Sequence, residues 1–253
     1  MSTFASFDGT ECWFDDQELE PGESTHTVVL LHGFAADTNL NYVRSGILDA
    51  LLDAGHRTVA LDFRGHGLSA KPHDPAAYGD DALTRDVQAL LDHLGVDDCV
   101  VVGYSMGSGV ALRLGAIDRR VRAVVALGVG GTSLERHATG GSGMRDGLLA
   151  DDPATISDPN GRRFRHLADS VRADRVALAA CIGVAQPRPA QHLDEISVPV
   201  LVVAGADDDL AGDPTVIADR LADGTGVVVP GDHFTSNARP ELHEHLLAFV
   251  ARR

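Results

Sequence analysis

The chain has 253 residues, of which 44% are hydrophobic and 23% charged, enough apolar material for a sizeable globular core and outside the disordered, collagenous and fibrous classes. With 21 Lys+Arg against 37 Asp+Glu, the formal net charge is -16, which argues against nucleic acid or an anionic membrane surface as partner. Cys12, Cys99 and Cys181 lie far apart without a CxxC pair, so neither a disulfide framework nor a zinc cluster is expected and a reducing compartment fits best.

The N-terminal segment lacks the basic and apolar regions of a secretory signal, and no apolar run approaches the roughly 20 residues that span a bilayer. The expectation is a soluble cytoplasmic protein with no membrane partner; oligomeric state is not legible. Phe4 to Phe7 and Glu11 to Phe14 flank Asp8-Gly9, a dipeptide suited to the positive φ angles of a tight turn, which predicts an opening antiparallel hairpin. After the Pro21-Gly22 break, Thr27 to Leu31 is a continuous apolar run with β-branched character, the signature of a strand buried on both faces. Similar runs follow at Thr58 to Leu61, Cys99 to Val102, Val121 to Leu127, Val198 to Val203 and Val227 to Val229.

Between these runs the period changes. Leu83, Val87, Leu90, Leu91 and Leu94 share one helical face that ends at Gly95. Helices are also predicted around Val110 to Ile117, around Val216, Ile217 and Leu221, and over Leu242 to Val250 after Pro240. Strand and helix in alternation predict an α/β fold, a mostly parallel twisted sheet of about eight strands flanked by helices. The alternation breaks over 129–196, a stretch rich in Gly, Asp and Arg with helical patterns at Arg162 to Ser170 and Arg172 to Ile182. This predicts a short helical lid inserted between core segments 1–128 and 197–253.

Gly103-Tyr104-Ser105-Met106-Gly107 lies directly after a predicted strand and before a predicted helix. That is the G-x-S-x-G nucleophile elbow in the strand-turn-helix setting its mechanics require. The turn forces Ser105 into a strained conformation and exposes its hydroxyl above the sheet, near a helix N-terminus that favours developing negative charge. A serine needs a base and an orienting acid. His233, in Gly231-Asp232-His233 after the Val227 to Val229 run, sits where the base is expected. Gly205-Ala206-Asp207-Asp208-Asp209 supplies three candidate acids, alongside the alternative of a solvated or cation-binding acidic loop with Asp213. Two backbone N–H donors would hold an oxyanion, those of Met106 and, in His32-Gly33-Phe34, of Phe34. Gly33 and Tyr104 are expected against the substrate, and His32 is read as a packed loop residue.

Leu30 to Phe34, Asp62-Phe63-Arg64-Gly65-His66-Gly67-Leu68-Ser69, the elbow, Gly205 to Asp208 and Gly231 to His233 together resemble the α/β-hydrolase fold superfamily, over nearly the whole chain outside the insertion. The serine-nucleophile branch is the nearest, with small bacterial esterases, enol-lactonases and perhydrolases. The resemblance implies Asp208 as the orienting acid, with Asp207 as the alternative, and a structural role for Asp62 to Ser69 in which Arg64 and His66 carry no chemistry. Ser108 stands where many relatives have a second glycine. Epoxide hydrolases and haloalkane dehalogenases share the scaffold but use an aspartate nucleophile, and Ser105 argues against both.

His243-Glu244-His245 lies on the last helix, where neighbouring side chains point in different directions, so no metal site is expected. Val176, Leu178, Ala179 and Ile182 either line an acyl pocket or pack the lid on the core. Arg136, Arg145, Arg162, Arg163 and Arg165 are read as locally ion-paired with Asp151, Asp152 and Asp158 rather than as anion receptors. The expected function is a serine hydrolase of a small carboxylic ester or lactone, working through an acyl-enzyme on Ser105 with Asp208 and His233 and without a cofactor. The alternatives are a C–C bond hydrolase or acyltransferase on the same residues, or a slow-turnover ligand receptor on this fold.

Overall fold

The computed structural model describes residues 2–18, 24–136, 142–184 and 193–253. The strands are β1 (Ser2–Ala5), β2 (Glu11–Gln17), β3 (Thr27–Leu31), β4 (Arg57–Leu61), β5 (Cys99–Tyr104), β6 (Val121–Leu127), β7 (Val200–Gly205) and β8 (Gly224–Val229). They form one eight-stranded sheet in the order β1-β2-β4-β3-β5-β6-β7-β8. The opening hairpin pairs antiparallel with itself and with β4, and every later pairing is parallel.

Alternation along the parallel strands sorts the core into two layers. Val29 and Leu31 of β3 belong to the layer built with Leu83, Val87, Leu90 and Leu91 of α2 (Ala82–Leu94) and with Val110 and Leu114 of α3 (Met106–Ile117). Val28 and Leu30 face the opposite side. There they meet Ile47 and Leu51 of α1 (Ile47–Asp53) and the apolar stripe of the C-terminal helix Pro240–Val250. Each strand is therefore apolar on both faces, which is why the sequence shows continuous rather than alternating hydrophobicity. Gly95 ends α2 at φ +62, and Val96 N–H closes the cap on the Leu91 carbonyl at 2.9 Å.

Several boundaries differ from the sequence reading. The opening turn spans Ser6 to Gly9, with Gly9 N–H donating to the Ser6 carbonyl and only Gly9 at positive φ. Asp8 instead turns its carboxylate to Thr10 N–H and Arg64. Strand β7 starts at Val200 rather than Val198, because Pro199 has no N–H for the ladder and contributes its carbonyl to Val124 N–H instead. Leu221 falls outside α8, a single turn over Thr215–Ala218. The Pro21-Gly22 break lies outside the described residues.

Between β6 and β7 the chain forms α4 (Gly131–Arg136), α5 (Ser142–Leu149), α6 (Pro159–Ser170) and α7 (Arg175–Ile182). Helix α6 is capped by Asp158, whose carboxylate accepts from Gly161 N–H, and α7 by Asp174, which accepts from Val176 and Ala177 N–H. The arginines here find other partners than those expected. Arg163 pairs with Asp209, Arg165 with Asp169, and Arg145 with Asp146, while Asp152 and Asp158 serve as caps. The side chain of Arg136 lies outside the described residues. Leu178 and Ala179 are buried in the core layer and Val176 is exposed. The last helix, α9, is Pro240–Val250.

Candidate active site

The carboxyl ends of β5, β7 and β8 converge on one point at the sheet's edge. Strand β5 runs into α3 through Ser105, which is held at φ 52 and ψ -107, a combination an L-residue adopts only under constraint. The constraint comes from both flanks. A Cβ at Gly103 would overlap the Gly107 backbone, and one at Gly107 would overlap the Leu31 carbonyl, so neither position admits a side chain. Ser105 N–H is tied to the Leu127 carbonyl at 2.7 Å, and the buried Ser108 hydroxyl lies 2.8 Å from the carbonyls of Gly103 and Leu127. Ser108 thus pins the elbow to β6, a bond that a glycine there would lack.

His233 Nε2 stands 3.0 Å from Ser105 Oγ, and His233 Nδ1 stands 2.8 and 3.0 Å from the two carboxylate oxygens of Asp208. A carboxylate only accepts, so Nδ1 carries the proton and the Nε2 lone pair faces the serine. Asp208 is buried and its Oδ1 also accepts from Leu210 N–H at 3.0 Å and Ala211 N–H at 2.8 Å, which fixes its plane. Asp207 is exposed and Asp209 pairs with Arg163. Of the three candidate acids, Asp208 is the one against the imidazole. The turns after β7 and β8 are interlocked, with Ala206 N–H on the Val229 carbonyl and Asp207 N–H on the Gly231 carbonyl. Gly231, at φ +107, lets the second turn close against the first.

Tyr104 lies beneath the histidine, donating its hydroxyl to the His233 carbonyl at 2.8 Å while contributing to the cleft wall. The amides of Met106 and Phe34 donate to no other group among the described residues. Gly33 N–H, by contrast, is taken by Asn41 Oδ1 at 2.8 Å. His32 is wholly buried: its Nδ1 donates to the Gly33 carbonyl at 2.8 Å and its Nε2 accepts from Phe63 N–H at 3.0 Å. Burial holds the His32 imidazole below its usual range and that of neighbouring His66 down at about 3, so both are neutral packing elements. Arg64 is also wholly buried, forked onto Asp86 and Asp8, and ties the opening hairpin to α2.

A cleft of about 270 Å³ opens over Ser105 and His233. Phe34, Phe164 and Phe234 form a continuous aromatic wall, with ring centroids 5.6 Å apart for Phe34 and Phe164 and 6.2 Å for Phe164 and Phe234. Leu167 joins Phe164 from α6, so the inserted helices reach the cleft. The segment after β3 contributes Asn41, Arg44 and Ser45, and the one after His233 contributes Asn237. None of these was identified from sequence, because only the folded chain brings residues so far apart to one wall.

Residues 26–155 match the family model of the alpha/beta hydrolase fold. The chain belongs to the alpha/beta hydrolase family and is a hydrolase by class. More particularly, it is 26% identical over 247 residues to 3-oxoadipate enol-lactonase 2 of Acinetobacter baylyi, covering 88% of each chain. Its fold is similar to that of a hydrolase from Pseudomonas aeruginosa PA01, at 25% identity and a TM-score of 0.72 over 98% of this chain and 97% of that one. It is also similar to the enol-lactonase from Burkholderia xenovorans LB400, at 22% identity and a TM-score of 0.71 over 99% and 98% of the two chains. Among the described residues no helix is long and apolar enough to cross a membrane.

Proposed function

We propose that this hydrolase cleaves a small carboxylic ester or lactone through an acyl-enzyme on Ser105. The observation that carries the reading is the unbroken chain Ser105 Oγ, His233 Nε2, His233 Nδ1, Asp208, with contacts of 3.0 and 2.8 Å, opening onto an apolar cleft. His233 takes the serine proton as Ser105 attacks the carbonyl carbon. Asp208 stabilises the resulting imidazolium and keeps its ring in register. The amides of Met106 and Phe34, which have no other acceptor among the described residues, receive the oxyanion. His233 then returns the proton to the leaving oxygen, and water activated by the same imidazole releases the acid. No cofactor is needed for these steps. Helices α5 to α7 act as the lid, with Phe164 and Leu167 covering the acyl group.

The enol-lactonase relative supports a lactone among the substrates. The three cysteines are free, which fits residence in a reducing, cytoplasmic compartment. The test is turnover of an aryl ester and lactone panel by the purified chain and by Ser105→Ala. The substitution is expected to lower kcat by roughly 10⁴ to 10⁶. Undiminished turnover by Ser105→Ala would remove the reading.

A further inference from the structure

The cleft carries two buried carboxamides that the proposed chemistry leaves unused. Asn41, 7% exposed, sits in a π-turn over Asn39–Val43, and Asn237, 6% exposed, sits in a short turn over Ser236–Ala238. Both line the cleft. Each is oriented by a partner that plays only one role. Gly33 N–H donates to the Asn41 side chain at 2.8 Å, so that end is the oxygen and Nδ2, with two hydrogens, is the other. The Asn41 backbone carbonyl accepts from the Asn237 side chain at 3.1 Å, so Asn237 Oδ1 is its free end. Ser45 Oγ donates to the same carbonyl at 2.6 Å and steadies the pair.

Neither Asn41 Nδ2 nor Asn237 Oδ1 has a hydrogen-bond partner among the described residues, and neither is sealed inside protein. Each therefore offers an open hydrogen-bonding position, two hydrogens on Asn41 Nδ2 and lone pairs on Asn237 Oδ1, to whatever occupies the cleft. Asn41 also adjoins the nucleophile: a methyl group built on Gly33 would stand 3.4 Å from both Asn41 Oδ1 and Ser105 Cβ, and Asn237, bonded to Asn41, lines the same cleft.

We propose that Asn41 and Asn237 form a polar subsite beside Ser105 that binds a neutral hydroxyl or carboxamide on the substrate, Asn41 Nδ2 donating to it and Asn237 Oδ1 accepting from it. This rests on the ester or lactone reading and narrows it to substrates with an apolar body, held by Phe34, Phe164 and Phe234, and one neutral polar substituent near the scissile carbonyl. A carboxylate fits worse, since it has no hydrogen to give and would face the Asn237 lone pairs. Arg44 lines the same cleft, but it is exposed, and an anion beside an exposed guanidinium gains little in water.

The test compares kcat/KM for aryl esters whose acyl chains carry, at successive carbons, a hydroxyl, a carboxamide, a carboxylate or a methyl group. The wild-type chain is expected to favour the hydroxyl or carboxamide ester over its methyl counterpart by about 10-fold or more at one position. Asn41→Asp keeps an acceptor for Gly33 N–H and removes both donors; Asn237→Leu removes the acceptor. In either variant that ratio is expected to collapse towards unity. Equal wild-type rates, a preference for the carboxylate ester, or a ratio unchanged in both variants overturns the subsite. Failure to cleave any ester, with no phosphonate adduct on Ser105, counts against the ester or lactone reading instead. Two uncleavable methyl ketones, one hydroxylated and one methyl-capped, probe the subsite without turnover. Tighter calorimetric binding of the hydroxylated ketone supports it, and equal binding, or none, overturns it.

Discussion

Asp208→Asn changes one atom of the hydrogen-bonded chain and isolates what that atom does. The carboxylate accepts from Leu210 and Ala211 N–H through Oδ1 and from His233 Nδ1 through both oxygens, at 2.8 Å for Oδ2. An asparagine of the same shape must keep its oxygen on the two backbone amides, which only donate, so its NH₂ takes the place of Oδ2. That N–H points at Nδ1 and demands a lone pair there. The imidazole proton then moves to Nε2, 3.0 Å from Ser105 Oγ, and the base is blocked while packing is unchanged. The expected loss is about 10⁴ in kcat, equivalent to about 5 kcal/mol of transition-state stabilisation. KM and the thermal unfolding midpoint should move little. Steady-state kinetics on an activated aryl ester, with circular dichroism on the same preparation, measures both. A folded Asp208→Asn chain that keeps kcat within 10-fold would refute the proposed role of the carboxylate.

Gly107→Ala places a methyl group against the Leu31 carbonyl and 2.8 Å from the His32 oxygen, and should cost about 3 kcal/mol or more in urea unfolding; a neutral result would show that the elbow has room for it. Asp86→Ala leaves the wholly buried Arg64 with Asp8 and the Ala77 carbonyl as partners and should cost about 3–5 kcal/mol, read from the same transition. Burial keeps His32 and His66 neutral in the folded chain, His66 down to about 3, whereas both take a proton below about 6.5 when unfolded. Unfolding therefore takes up protons, and stability should fall as pH drops from 6.5 towards 4, by up to about 1.4 kcal/mol per pH unit from His66, with His32 adding in the same direction. Denaturation curves that do not change between pH 7 and pH 5 would contradict this.

The parallel core was legible because buried strands must be apolar on both faces, and runs such as Val28 to Leu31 have no other economical use in a charged chain. The turn around Ser105 was legible because five consecutive residues carry its pattern, although only Gly103 answers to local sterics and Gly107 answers to the Leu31 and His32 backbone of a distant strand. Helix α1 was missed since seven residues hold too few repeats of the helical period, although Ile47, Leu48, Leu51 and Leu52 all face the core. The opening hairpin was legible from Asp8-Gly9, but only Gly9 takes a positive φ, and the Asp8 carboxylate goes to Arg64, distant in sequence, which no local pattern announces. Asn41 and Asn237 gave no signal at all. Their importance comes from a bond across 196 residues of chain, between an asparagine side chain and a carbonyl, which no local pattern encodes.

The most direct measurement is peptide mapping by mass spectrometry after treatment with a fluorophosphonate ester, which reacts with a serine only when a neighbouring base activates it. A single phosphonyl adduct on Ser105, formed rapidly by the wild-type chain, slowly by His233→Gln and not by Ser105→Ala, is the expected result. A folded wild-type chain that takes no label, or takes it equally well without His233, would contradict nucleophilic catalysis at this site.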